Sequence, residues 1–156
     1  MMDSVYLMGR ISAFVGRSQG IMDAANAFLH VNNDEDVLML LRGNLAELMV
    51  KVDPSMYREY VTTSKKGVLM LYVKLDKAMY GMLRAALLFY KKLRKDLEKM
   101  GFVINPYNPC VANKMVNGKQ MTVCWHVDDF LVTHMEEDAI TGFSLALANI
   151  YGPKRP

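Results

Sequence analysis

Apolar residues recur at helical spacing in three parts of the 156-residue chain. The pattern from Val5 to Gly16 predicts a first helix, and the pattern from Ala139 to Tyr151 predicts a closing one. The longest pattern runs from Ala78 to Met100, where apolar positions recur every three or four residues and charged residues fill the other face. It predicts the main helix of the chain, which Gly101 is expected to end.

Continuous apolar runs predict the strands. Val37 to Leu41 and Val68 to Leu75 are two such runs. Farther along, the dipeptide Asn117-Gly118 separates residues 111–116 from residues 119–127, and Asn-Gly between such runs is a strong signal for a two-residue hairpin. Helices combined with these strands predict an α+β fold with a small antiparallel sheet and with helices packed on one face.

Composition and charge narrow the class of protein only a little. The apolar content of 52% and the charged content of 22% are those of an ordinary folded domain, and 17.7 kDa is enough chain for one core. The net charge of +3 is compatible with a nucleic-acid partner without requiring one. No secretory signal and no membrane-spanning segment are visible, so we expect an intracellular protein whose two cysteines are free.

The adjacent carboxylates Asp128 and Asp129 are the least ordinary feature of the sequence. They lie between apolar runs at 122–127 and 130–133, which predicts a tight hairpin with both carboxylates at its tip, although Asp-Asp lacks the glycine that such a turn favours. Neighbouring anions repel each other, and Mg²⁺ prefers carboxylate oxygens. The pair therefore indicates either a site for metal-dependent phosphoryl chemistry or a solvated acidic turn.

A third carboxylate, Asp23, follows the short apolar step Ile21-Met22 and precedes a segment that tolerates helix, Ala24 to Leu29. An aspartate in this position is a good N-cap, because its carboxylate accepts a hydrogen bond from a backbone N–H of the next turn. The alternative is that Asp23 is a further ligand for the metal suggested by Asp128 and Asp129. Local sequence leaves both interpretations open.

Three motifs in the same order and spacing resemble those of Ty1/copia-type retrotransposon reverse transcriptases. Asp23-Ala-Ala-Asn-Ala-Phe-Leu-His30 resembles the first catalytic motif, and Leu75 to Tyr90 resembles the next one, in which Lys-Ala-Leu-Tyr-Gly-Leu opens the helix. His126-Val127-Asp128-Asp129 resembles the Tyr-Val-Asp-Asp box. Shorter matches extend the resemblance over nearly the whole chain: Gly101-Phe102, Asn108-Pro109-Cys110 and Tyr151-Gly152.

The resemblance implies the palm of an RNA-directed DNA polymerase, which adds deoxynucleotides to a primer 3′-hydroxyl. Asp23 and Asp128 would bind two Mg²⁺ ions, for which Mn²⁺ could substitute, and Asp129 would be the neighbouring acid. The three residues would act together as the catalytic carboxylates.

The resemblance also implies a nucleotide site. Phe28 would clash with a ribose 2′-hydroxyl and so select deoxynucleotides, and Ala27 would line the pocket beside it. For Phe28 taken alone, packing in the core is the alternative. Gly81 would let the backbone approach the template base and the incoming nucleotide, which a side chain would obstruct.

Two positions depart from the family pattern. His126 stands where the box usually has tyrosine, and an imidazole beside two acids could modulate them. Arg84-Ala85-Ala86-Leu87 stands where the pattern has Gln-Ala/Ser-Pro-Arg, so Arg84 would have to supply the charge for a template contact. His30 and His134 have no metal-ligand spacing with a cysteine, and we expect neither to bind metal.

Only 22 residues precede Asp23, and a single helix is predicted after the last motif. We therefore expect residues 1–156 to be one palm domain, truncated in the fingers and lacking the thumb. Its expected partners are a primed RNA or DNA template, deoxynucleoside triphosphates and the fingers, thumb and RNase H of a Pol polyprotein, with no membrane. The resemblance suggests a cytoplasmic particle or the nucleus as its location.

Two other functions stay open at this point. The chain could be an inactive relic or a domesticated fragment that binds nucleic acid or protein. It could also be a metal-dependent phosphodiesterase built on Asp23, Asp128 and Asp129, which would need no nucleotide substrate.

Overall fold

The computed structural model describes residues 2–152. Their contacts divide the chain into two compact units, one formed by residues 2–31 together with 79–152 and the other by residues 32–78. The helices are α1 (Met2–Val15), α2 (Asn44–Val52), α3 (Pro54–Tyr57), α4 (Ala85–Lys99) and α5 (Glu137–Tyr151). The strands are β1 (Ser18–Asp23), β2 (Leu38–Arg42), β3 (Val61–Thr63), β4 (Leu69–Lys74), β5 (Val103–Ile104), β6 (Val111–Val116), β7 (Lys119–His126) and β8 (Asp129–His134).

The first unit is organised around a five-stranded sheet in the order β1-β8-β7-β6-β5, and every neighbouring pair in it is antiparallel. β6, β7 and β8 follow one another through two-residue hairpins. β1 comes from a distant part of the chain and pairs with β8 along its whole length. This architecture confirms the predicted α+β class and antiparallel sheet.

Helices cover both faces of this sheet. A Cβ atom added to Gly20 of β1 would lie 2.6 Å from Cγ2 of Ile140, so α5 packs closely on that face. Side chains alternate across a strand, so residues one position away face the other side. On the face opposite to Gly20, Met8 of α1 packs against Val111, Cys124 and Leu131. The prediction that the helices pack on one face is therefore wrong for α1, whose buried Met8 packs on the opposite face.

The second unit has a three-stranded antiparallel sheet in the order β2-β4-β3, with α2 packed on β2 and β4. The two predicted strands of this region are confirmed as β2 and β4. Asp53 caps α3 by accepting a hydrogen bond from the backbone N–H of Met56, at 3.0 Å. Neither α2 nor β3 was predicted from the sequence, and the three-residue β3 is too short for a periodic pattern.

The predicted helices at the two ends are confirmed as α1 and α5, whereas the main helix is shorter than predicted. The pattern indicated a helix from Ala78, but α4 begins at Ala85. Gly81 has φ +91°, which a right-handed helix cannot contain, so the residues before α4 form turns. Gly101 follows the helix with φ +86°, as expected of a helix stop. No helix within residues 2–152 is long and apolar enough to cross a membrane.

Candidate active site

The three aspartates singled out by the sequence lie together at one end of the five-stranded sheet. Asp23, the last residue of β1, is paired with Asp129, the first residue of β8. Asp129 is also paired with His126, the last residue of β7. The backbone N–H of Ala24 donates to the carbonyl oxygen of Asp128 at 2.9 Å, which ties the turn to the end of β1. Pairing of β1 with β8 therefore brings together carboxylates that are more than a hundred positions apart.

The turn between β7 and β8 consists of Val127 and Asp128, so the prediction that both aspartates form the tip is wrong. Asp129 already belongs to β8. φ is +56° at Val127 and is not positive at Asp128, the sign pattern of a type II′ turn, which favours glycine in the first position. A β-branched residue is strained there, at a cost on the order of 1–3 kcal/mol. The strain falls on Val127 and not on the aspartates.

The cluster is electrostatically unfavourable without a cation. Desolvation by neighbouring protein atoms raises the pKa of the Asp23 carboxyl, and the negative charges of Asp128 and Asp129 raise it further. Across residues 2–152, no group of three or more His, Cys, Asp or Glu side chains could hold a metal ion by itself. The carboxylates repel one another but do not form a closed cage of ligands.

This donor set fits a magnesium ion better than a metal that needs a complete protein cage. Mg²⁺ is usually bound by one or two carboxylates, with waters and substrate phosphates as its other ligands. Asp23 and Asp128 supply two hard carboxylate oxygen donors, and a cation between them would relieve the repulsion that raises the pKa of Asp23. The residues present are therefore compatible with the divalent metals that the resemblance implies.

Tyr80 joins the site, although no pattern in the sequence singled it out. Its hydroxyl donates a hydrogen bond to Oδ2 of Asp128 at 3.0 Å. Its ring meets Phe28 edge-on, with ring centroids 4.4 Å apart, and Phe28 in turn contacts Phe89. The one available signal was its place directly before Gly81 in the second motif. Tyr80 therefore connects the carboxylate end of the sheet to the residue expected to select deoxynucleotides.

Ala27 and Phe28 begin a short 3₁₀ turn, Ala27–His30, and both are buried. Phe28 retains only 6% of its exposure, so it contributes to the core as well as bordering Tyr80. Gly81 is exposed, and a Cβ placed on it would meet no atom within 4 Å. Its φ of +91°, and not a lack of space, is what requires glycine there in the free protein.

The other predicted residues lie at the edges of this site or away from it. His126 is exposed and borders Asp129 across the β7–β8 pair. Arg84 is half-buried and directly precedes α4. His134 is fully buried at the opposite end of β8, and its ring nitrogens contact backbone groups, including the carbonyl oxygen of Val116 at 3.2 Å. His30 contacts the carbonyl oxygen of Ala25 in the same way.

Comparison with known proteins decides the family. The family model described as reverse transcriptase (RNA-dependent DNA polymerase) matches residues 1–154. The chain belongs to this family. The match confirms the resemblance that the three motifs indicate, and the activity by which the family is described is RNA-dependent DNA synthesis. Comparisons with curated proteins and with solved structures found no match.

Proposed function

We propose that this reverse transcriptase domain carries the catalytic palm centre of an RNA-directed DNA polymerase. The observation that supports the proposal most strongly is the meeting of Asp23, Asp128 and Asp129 at one end of the sheet. Asp23 comes from the first motif and Asp128 and Asp129 come from the last, and a purely structural acidic turn would not need Asp23. The reaction would be addition of deoxynucleotides to a primer 3′-hydroxyl.

Asp23 and Asp128 would hold two Mg²⁺ ions, or Mn²⁺ in their place. Bound there, the ions would supply activation of the 3′-hydroxyl and stabilisation of charge on the triphosphate. Asp129 adds negative charge beside Asp23, and Asp128 directly follows the strained residue Val127 in the turn. His126 borders Asp129 and would modulate the site where the family has tyrosine.

The nucleotide would bind beside the aromatic pair of Phe28 and Tyr80. Phe28 would exclude a ribose 2′-hydroxyl because its buried position leaves the ring little freedom to move aside. Ala27 would line the same wall, and Gly81 would present bare backbone to the base pair. Arg84 would contact the template strand.

The proposed partners follow from the family. They are an RNA or DNA template with its primer and deoxynucleoside triphosphates. We further propose that residues 1–156 act as the palm domain of a retrotransposon Pol polyprotein, whose fingers, thumb and RNase H would complete the grip on the duplex.

Primer extension tests the proposal. The 156-residue chain is incubated with oligo(dT) annealed to poly(rA), with dTTP, and with Mg²⁺ or Mn²⁺. We expect extension by the wild type and loss of extension in Asp128→Asn. Asp138→Asn is the matched control, because Asp138 is an exposed carboxylate in the first turn of α5, outside the cluster. It should extend the primer at the wild-type rate.

Two results would overturn the proposal in different ways. A folded wild type that extends no primer with either metal would favour an inactive relic or a domesticated binding fragment. Divalent-dependent cleavage of the nucleic acid without dTTP, lost in Asp128→Asn, would instead favour a phosphodiesterase. Circular dichroism of each variant establishes that it is folded.

A further inference from the structure

We infer that Tyr80 is a positioning residue for Asp128, and that its hydroxyl orients this carboxylate toward the divalent cation of the proposed polymerase centre. The inference rests on the proposed function. Its starting point is the hydrogen bond from the Tyr80 hydroxyl to Oδ2 of Asp128, at 3.0 Å. A residue that orients a metal-binding carboxylate from the second layer of contacts typically changes metal affinity or activity by about 10- to 100-fold when it is removed.

Tyr80 can hold a direction because its ring rests on a buried aromatic row. The ring is 61% exposed, yet its centroid lies 4.4 Å from that of Phe28, which is almost fully buried. The ring centroids of Phe28 and Phe89 lie 6.2 Å apart, and those of Phe89 and Tyr151 lie 5.4 Å apart, both in edge-on geometry. Phe89 lies in α4 and Tyr151 ends α5, so the row anchors Tyr80 to two helices of the core.

The hydrogen bond contributes little to folding, which separates a positioning role from a structural one. Tyr80 is mostly exposed and Asp128 is only half-buried, so water would solvate both groups if the bond were absent. Removing one partner is therefore inexpensive in stability. The direction of the Asp128 carboxylate is another matter, because Asp23 and Asp128 repel each other and the hydrogen bond from Tyr80 holds Oδ2 of Asp128.

The same ring also contacts Phe28, the proposed sugar gate. The hydroxyl and the ring should therefore have separable effects. Tyr80→Phe removes only the hydroxyl, so it should weaken metal binding and leave the choice between deoxynucleotides and ribonucleotides unchanged. Tyr80→Ala also removes the support of Phe28, so it should relax that choice as well.

Titration with Mn²⁺, followed by the loss of its free paramagnetic signal, measures metal binding without any turnover. We expect the Kd of the whole chain for Mn²⁺ to rise by about 10- to 100-fold in Tyr80→Phe. Tyr90→Phe is the matched control, since the Tyr90 hydroxyl bonds to the carbonyl oxygen of Pro109, away from the carboxylates, at 3.3 Å. Its Kd should equal that of the wild type.

In primer extension, the metal concentration for half-maximal rate should rise in Tyr80→Phe in the same proportion, while the ratio of dTTP to UTP incorporation stays constant. Equal Kd values for the wild type and Tyr80→Phe would overturn the inference. If Asp128→Asn still weakens Mn²⁺ binding in that case, the proposed function survives and only the positioning role fails. A wild type that binds no Mn²⁺ and extends no primer would overturn both.

Discussion

Strand β7 forms a two-residue hairpin at each of its ends, and the two turns differ in backbone strain and in electrostatics. Toward β6 the turn is Asn117-Gly118, with φ values of +52° and +73°, and both residue types tolerate positive φ. Toward β8 the turn is Val127-Asp128, with φ +56° on a β-branched residue. The first turn is relaxed and the second is strained, although both connect strands of one sheet.

Their electrostatics differ in the same sense. Beside the first turn, the side chains of Asn117 and Lys119 donate hydrogen bonds to the Glu136 carboxylate, at 2.9 and 3.1 Å, and these bonds lower its pKa. Beside the second turn, burial and the charges of two other aspartates raise the pKa of Asp23. One carboxylate is stabilised in its charged form and the other is not.

The hairpin that carries the aspartates is therefore not arranged for stability. Strain and unpaired like charges persist where a surrounding structure over-determines them, and such places are often functional. Here the β7–β8 ladder and the pairing of β1 with β8 hold the strained turn in place.

Exchanging the residues of the two turns should have the largest effect on activity. Asn-Gly at positions 127–128 removes Asp128, and loss of a metal-binding carboxylate, at several kcal/mol, should reduce primer extension by about 10³-fold or more. Val-Asp at positions 117–118 should leave the primer-extension rate of the folded protein within about twofold of the wild type. It should lower the free energy of unfolding by about 1–3 kcal/mol. Extension assays and urea unfolding measure both. Full activity after the exchange at 127–128 would contradict the assignment of Asp128.

Relieving the strain alone should stabilise the protein. Val127→Gly removes the penalty of a branched side chain at positive φ and adds the entropy cost of glycine, for a net gain of about 1 kcal/mol in urea unfolding. Val116→Gly is the control, because Val116 lies in β6 just before the relaxed turn and its φ is not positive. That variant should lose stability. A loss of stability in Val127→Gly would mean that the turn is not strained.

The repulsion at the carboxylates should appear in the pH dependence of stability. Because the folded-state pKa of Asp23 is raised, its ionised form destabilises the fold, and this cost disappears as the pH falls through that pKa. In EDTA at pH 7, Asp23→Asn should raise the Tm by about 1 °C, since solvent screens the exposed charges. Near pH 3 the difference should vanish. A lower Tm for Asp23→Asn at pH 7 would contradict this account.

The smallest effect, of opposite sign, is expected at the relaxed hairpin. The pKa of Glu136 is lowered, so its contribution to stability is present above its unfolded-state pKa and is lost as the pH falls through the folded-state value. Glu136→Gln should lower the Tm at pH 7 by less than about 1 °C, because the ion pair with Lys119 is exposed. The variant and the wild type should coincide in acid. Thermal scans between pH 7 and pH 3 measure the Tm of the variants at both hairpins by one method.

Local chemistry was enough to predict the relaxed hairpin and the helices at the two ends of the chain. Asn117-Gly118 determines its own turn, and helical spacing identified α1 and α5. The strained hairpin was predicted one residue out of place, because local preferences put polar residues at a tip and Val127 had no reason to occupy it. The start of α4 was missed because Gly81 interrupts a pattern that is otherwise helical.

The class of fold follows from the sequence alone, as do the family and the candidate aspartates, through three motifs in register. The folded structure adds which of those aspartates are neighbours, which residue carries the strain, and that Tyr80 contacts Asp128 from 48 positions away. A turn or a helix depends on residues close in the chain, whereas the site depends on β1 pairing with β8 and on an aromatic row that reaches α5. Those contacts exist only once the core has packed.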